Sequence, residues 1–302
     1  MSIQLVLFIL VIGALVVSLY FIINCTCDNS PETFYPGGSE KSRAEMKKYN
    51  VIFSGTIRNV EKYIKKGLSD IDLCGQKFND YAVILYENDS SDNTRSILQD
   101  LKKDNYHYIF EDGVKEKLRT KRLANGRNKV LDKMREINQN GYYDYLIILD
   151  MDDVNESGTF VDSIETCFEH ENWDVLTGNQ SGIYYDLWAL RKKDDMEYDC
   201  WEKVRQHTHP GLRFSSKTYY DAFARDKYVY SKLKNYPQTR ELLEVDSAFG
   251  GAGIYKIQSI PKGCRYVGNH SNGKEKCEHV EFNECIKKNG GAIFINTRFL
   301  TS

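Results

Sequence analysis

Between residues 51 and 150 the apolar positions gather into short unbroken runs, separated by stretches where they recur every three or four residues. The runs "VIFSGTI" (51–57), "DYAVILYEN" (80–88), "YHYIFE" (106–111) and "YDYLIILD" (143–150) have the length of strands. Their continuous apolar character is what a strand covered on both faces requires. The intervening segments 59–71, 91–104 and 120–140 carry the spacing of amphipathic helices. Strand and helix in this alternation predict an α/β fold, an open and mostly parallel sheet sandwiched by helices. Such sheets hold ligands at the carboxyl ends of their strands. Beyond about residue 155 the alternation weakens, and segments such as "WDVLTGNQSGIYYDLWALRKKDD" read as mixed strands, loops and a helix laid across the sheet's mouth.

A different pattern occupies the first residues. From Ile3 to Ile23 the only clearly polar side chains are Gln4 and Ser18, and as a helix this stretch would extend roughly 31 Å, the thickness of a bilayer's hydrocarbon core. It predicts an N-terminal transmembrane helix (1–24), preferred over a cleaved signal because "MSIQ" offers no Lys or Arg. Pro, Gly and Ser in "CDNSPETFYPGGSEKSR" predict a flexible tether over 25–48, leaving 49–302 as the folded domain. Lys41, Arg43, Lys47 and Lys48 all follow the anchor, so the positive-inside tendency favours a cytosolic domain over a lumenal one. Asn-x-Ser sequons at Asn88, Asn155, Asn179 and Asn269 lean the same way, since two of them fall inside the motifs described next and a glycan there would block them.

Composition narrows the functional classes. The 28% of charged residues nearly cancel to a formal charge of −2, without the basic footprint of a nucleic-acid binder. Eight scattered Cys show neither a CxxC pair nor zinc-ligand spacing. Buried thiols are the default, with disulfides expected only if the domain is lumenal.

Three motifs sit at predicted strand ends or helix starts. In "LDMDD", strand alternation turns Asp150 and Asp152 toward one point. Carboxylates so placed hold a proton or a cation between them, and oxygen ligands suit Mg²⁺ or Mn²⁺. In "VILYENDSSDNTRSIL" a buried strand ends in Glu87, Asn88 and Asp89, whose polar groups can bond a nucleobase edge or ribose hydroxyls. In "RTKRLANGRNKVLDKM", Arg119, Lys121, Arg122 and Arg127 cluster near a helix start, where guanidinium groups and the helix N-terminus both favour phosphate.

In this order and topology the three motifs, covering about residues 51 to 155, resemble the GT-A glycosyltransferases, in particular family-2-like enzymes. A narrower likeness is to the fungal capsule-associated α-mannosyltransferases, in "FSGTIRN", "YENDSSDNT", "LANGRNKVLDKM" and "YYDLWALR". It departs at Met151-Asp152-Asp153-Val154, where that family carries Asn-Asp-Val, which leaves open which Asp holds the metal. The resemblance implies a membrane-anchored, metal-dependent transferase with a nucleotide-binding half (49–155) and an acceptor and sugar half (156–302). The donor would be GDP-mannose or a UDP-sugar, the acceptor a glycan or other hydroxyl, and the cofactor Mn²⁺ or Mg²⁺. Glu87 and Asp89 would face the base and ribose, Thr56 and Arg58 would border the nucleotide, and Arg127 would meet the diphosphate or the ribose. Asp150 would serve both ribose and metal, with Asp152 as direct ligand.

Two later segments complete the expectation. "EVDSAFGGAGIYKI" resembles the family's acid-plus-FGG segment, making Asp246 the first candidate for a catalytic base, or for positioning the donor sugar if configuration is retained. "KCEHVEFNECI" supplies Glu278 as the second candidate base and His279 as the third metal ligand. A nucleotidyltransferase is the enzymatic alternative, disfavoured because "FSGTIRN" lacks a Gly-rich phosphate loop. The other alternative, an inactive sugar-binding protein of the same fold, sits poorly with an intact acid triplet.

Overall fold

The computed structural model describes residues 37–207 and 214–302. The expected anchor and the first half of the tether lie outside the described residues, within which no helix is long and apolar enough to cross a membrane. The tether is shorter than its composition implies. Ser39 accepts a hydrogen bond from the Ser42 backbone and caps helix α1 (Glu40–Met46), whose Met46 is fully buried. Among the described residues the folded part therefore already includes α1, ahead of residue 49.

The predicted alternation appears with small shifts of boundary. Strands β1 (Asn50–Ile57), β2 (Asp80–Asn88), β3 (Tyr106–Glu111) and β4 (Tyr145–Leu149) pair in parallel in the order β3-β2-β1-β4. Helices α2 (Glu61–Gly75), α3 (Thr94–Asp100) and α4 (Arg119–Ile137) connect them. α3 is shorter than predicted because Leu101 already adopts an extended backbone.

The second half does more than cover the mouth. After the single turn α5 (Phe160–Ser163) come β5 (Val175–Asn179), the short β6 (Ile183–Tyr184), helices α6 (Cys200–His207) and α7 (Phe214–Tyr228), and β7 (Lys234–Asn235). β8 (Leu242–Glu244), β9 (Ala252–Lys256), α8 (Glu278–Lys288) and β10 (Ile293–Leu300) follow. Four of these strands extend the first sheet to eight, in the order β3-β2-β1-β4-β9-β5-β10-β8, while β6 and β7 form a separate ribbon. β9 runs antiparallel between β4 and β5, so its leading end lies at the same edge as the carboxyl end of β4.

Alternate residues on each central strand feed opposite cores. Ile52, Ile84, Leu146 and Ile148 pack under α4 and α8, whereas Val51, Phe53, Val83, Leu85 and Ile147 pack under α2 and α5. Gly126 permits the close seating of α4 on β2, since a Cβ there would lie 2.5 Å from the Tyr86 ring.

Candidate active site

A cavity of about 540 Å³ opens where β1, β2 and β4 end, within the size range of small-molecule sites. Thr56 and Arg58 line it from the end of β1, Asn88 from β2, and Asp150 and Asp152 from the turn after β4. Arg127 enters from α4, and Glu278 and His279 from the first turn of α8. Most of the residues the sequence nominated therefore meet in one place.

Arg127 is the hub. Its side chain is 5% exposed, its Nε donates to Glu278 Oε1 at 3.2 Å and its Nη2 to Asp150 Oδ1 at 3.1 Å. The rings of Phe249 and Tyr266 lie 5.2 and 5.9 Å from its Cζ. Its third nitrogen, Nη1, is buried without a partner. A buried guanidinium holding an unused donor beside a cavity is suited to an anionic oxygen.

The acids around it differ in environment. Asp150 keeps 29% of its side-chain exposure, yet desolvation raises its pKa to about 7; Arg127 opposes that rise, while Asp152, Asp186 and Glu278 add to it. Asn155 fixes the backbone here, donating through Nδ2 to the carbonyls of Asp150 at 2.8 Å and Gly251 at 3.0 Å. Asp152 accepts from Val154 N at 3.3 Å and caps the turn Asp153–Asn155. Gly250 and Gly251 hold φ of +64° and +87°, and a Cβ on Gly251 would meet Val154 at 2.4 Å, so glycine is needed in this turn for the close approach.

His279 is 3% exposed and stacks on Phe249, ring centroids 3.8 Å apart. Burial, and then the charge of Arg127, holds its pKa well below the ordinary value, so the ring is neutral. Neither ring nitrogen has a hydrogen-bond partner. Two carboxylates and an unpartnered imidazole on one cavity are a donor set that fits Mn²⁺ or Mg²⁺. Among the described residues no group of three or more His, Cys, Asp or Glu is gathered closely enough to hold a metal, so Asp150, Asp152 and His279 share the cavity without forming a closed ligand cage.

Three expectations do not survive the geometry. Glu87 is fully buried, with one carboxylate oxygen paired to Arg95 and the other accepting from Ser90 N at 2.9 Å, so it props the loop after β2 and does not face a base. Asp89, at φ +48°, accepts from Gly113 N at 2.6 Å and Val114 N at 3.0 Å, bonds that hold its pKa low and tie down the next loop. Their neighbour Asn88 reaches the cavity instead. Asp246 lies outside it, half-exposed in a separate cleft with Arg191 and Lys192 and 4.0 Å from Lys287. Asp186 lines the cavity instead and accepts from Gly250 N at 3.0 Å and Ala189 N at 3.3 Å. Only the quoted "YYDLWALR" hinted at Asp186, because nothing local marks its bond to Gly250, 64 positions away.

A strap between β9 and α8 closes the back of the site. Tyr266 N donates to Asn128 Oδ1 and Asn128 Nδ2 to Tyr266 O, both at 2.9 Å, and the Tyr266 ring stacks on Phe282. The Cys264–Cys285 disulfide joins this strap to α8, while Cys74, Cys167, Cys200 and Cys277 are buried thiols.

Comparison with solved structures gives distant likenesses. S. aureus TarS residues 1-349 align at 14% identity over 82% of this chain and 57% of that one, with TM-score 0.46. The mannosyltransferase PcManGT from Pyrobaculum calidifontis, in complex with GDP-Man and Mn²⁺, aligns at 10% identity over 93% and 62%, TM-score 0.43. Glucosyl-3-phosphoglycerate synthase from Mycobacterium tuberculosis, in complex with UDP, aligns at 11% identity over 85% and 72%, TM-score 0.41. The chain spans about three fifths of the length of the first two. No curated protein matches it. Residues 56–225, more than half of the sequence and carrying Thr56, Arg58 and the β2, α4 and β4 motifs together with Asp186, match the family described as glycosyl transferase family 2, and the chain belongs to that family.

Proposed function

We propose that this protein transfers a sugar from a nucleotide-sugar donor to an acceptor hydroxyl with the help of a divalent cation. The observation that carries the reading is the half-paired Arg127 beside Asp150, Asp152 and the unpartnered imidazole of His279, at the carboxyl edge of the sheet. Asp150, Asp152 and His279 would hold Mn²⁺ or Mg²⁺, which when bound supplies positive charge for the departing diphosphate. Arg127 donates its free Nη1 to the same phosphate oxygens and is already oriented by two carboxylates, so little reorganisation accompanies the reaction. Thr56, Arg58 and Asn88 border the nucleotide. GDP-mannose or a UDP-sugar is the expected donor. The test is a screen of nucleotide-sugar hydrolysis on residues 37–302, with Mn²⁺ and with chelator. One donor should turn over and chelation should abolish it; chelator-insensitive turnover removes the cation from the reading.

We also infer that residues 1–24 anchor the protein and that its catalytic domain faces an oxidising compartment, the reverse of the cytosolic expectation. The disulfide supports this. The sequon objection loses its force, because Asn88, Asn155 and Asn179 are buried in the folded domain. Closing a loop across a sequence separation of 21 stabilises by about 3 kcal/mol on chain-entropy grounds. Cys285→Ser should therefore lower the melting temperature by roughly 6–12 °C and weaken donor binding through the loosened strap. Thiol labelling of the protein in its native membranes should find Cys264 and Cys285 protected, and free thiols there would return the domain to the cytosol.

A further inference from the structure

The described walls of the cavity are segregated by charge. Arg58, Arg119, Arg122 and Arg127 all come from the end of β1 and from α4. The opposite wall, from β6 to α8, contributes Tyr185, Asp186, Trp188, Phe249, Cys277, Glu278 and His279, with no Lys or Arg among the described residues. A nucleoside diphosphate belongs against the arginines. What remains for the second substrate is aromatic and acidic.

Of the carboxylates on the cavity, Asp150 and Glu278 are both committed to Arg127. Asp152 lies in the turn after β4. Asp186 has no cationic side chain within ion-pair distance among the described residues, and two backbone N–H groups pin its carboxylate. One of these belongs to Gly250, in the turn whose positive φ only glycine holds comfortably, so the carboxylate and the glycine turn are built as one unit. Beside it Tyr185 is 45% exposed although it lines the cavity, an unusual placing for a large ring that no partner covers.

We propose that Tyr185 and Asp186 form the acceptor subsite, that Asp186 is the catalytic base, and that the acceptor is a neutral carbohydrate. This rests on the transferase reading above. A pyranose ring lies on the Tyr185 face, and the acid wall disfavours sugar phosphates and uronates. In the transfer step the acceptor hydroxyl gives its proton to the Asp186 carboxylate while its oxygen bonds to the anomeric carbon of the donor. The bond from that carbon to the diphosphate oxygen breaks, and its electron pair leaves with the nucleoside diphosphate. A single displacement of this kind inverts the anomeric configuration.

The experiment uses residues 37–302 with the donor found by the hydrolysis screen and a panel of methyl glycosides, short neutral oligosaccharides, sugar phosphates and uronates. Neutral acceptors should exceed their charged counterparts at least tenfold in kcat/KM, with inverted product. Asp186→Asn should lower transfer kcat by about 10²–10⁴-fold while donor KM and nucleotide binding by calorimetry stay within about threefold. Added formate should restore part of the transfer by Asp186→Ala. Tyr185→Ala should raise acceptor KM with donor KM unchanged. Preference for an anionic acceptor, retention of configuration, or parallel loss of nucleotide binding and melting temperature in Asp186→Asn overturns the assignment. If wild type neither hydrolyses a donor nor binds a nucleotide, the transferase reading itself fails.

Discussion

Replacing Arg127 by alanine is expected to cost about 3–5 kcal/mol of stability and at least about a hundredfold in donor turnover. Both losses have one origin. The guanidinium is 5% exposed and lies between Asp150 and Glu278, so its removal leaves two carboxylates in a desolvated pocket without a counter-charge. Asp150, already raised to about 7, would lose the positive charge that opposes that rise, and Phe249 and Tyr266 would lose the planar group they both face. Arg127→Lys should fall between the two, because an ammonium cannot bond both acids in plane and still offer a third donor. Denaturant melts together with donor turnover check this, and an alanine variant of wild-type stability would show that the ion pairs carry no structural weight.

Asp152→Ala should behave in the opposite way, losing cation-dependent turnover while keeping its fold. Asp152 is partly exposed, and its one side-chain hydrogen bond among the described residues is a 3.3 Å cap on a single turn, so truncation costs about 1 kcal/mol or less. With its carboxylate gone, Asp150 and His279 are left as the only nominated ligands, and Asp150 is also engaged by Arg127. Mn²⁺ binding followed by electron paramagnetic resonance should weaken at least tenfold, with the melting temperature unchanged within a few degrees. Full Mn²⁺ affinity in this variant would remove Asp152 from the ligand set.

The contrast between these residues shows what a motif can disclose. "LDMDD", "ANGRN" and "CEHVEF" pointed to Asp150, Asp152, Arg127, Glu278 and His279, and all five line one cavity. The motif "YENDSS" misled by one position. Glu87 looked like a rim acid, but Arg95, in the first turn of α3, turns back and neutralises it, leaving Asn88 to face the cavity. Asp246 misled for another reason. It lies just after the edge strand β8, and its backbone N–H donates to Arg191 O, which holds this stretch beside the separate cleft.

Local pattern alone determined the elements of the first half, because a buried parallel strand and its crossover helix each carry their own periodicity and their order constrains the topology. It also determined the glycine turn at 250–251 and the acids that end β4, since backbone conformation and strand polarity are properties of neighbouring residues. Only the tertiary structure decided that β9 enters antiparallel between β4 and β5, that Asp186 is brought to Gly250, that Tyr266 is strapped over Arg127, and that Cys264 meets Cys285. Each of these joins residues 21 or more positions apart, and pairings over such distances leave no periodic trace because their free energy comes from packing the whole sheet at once.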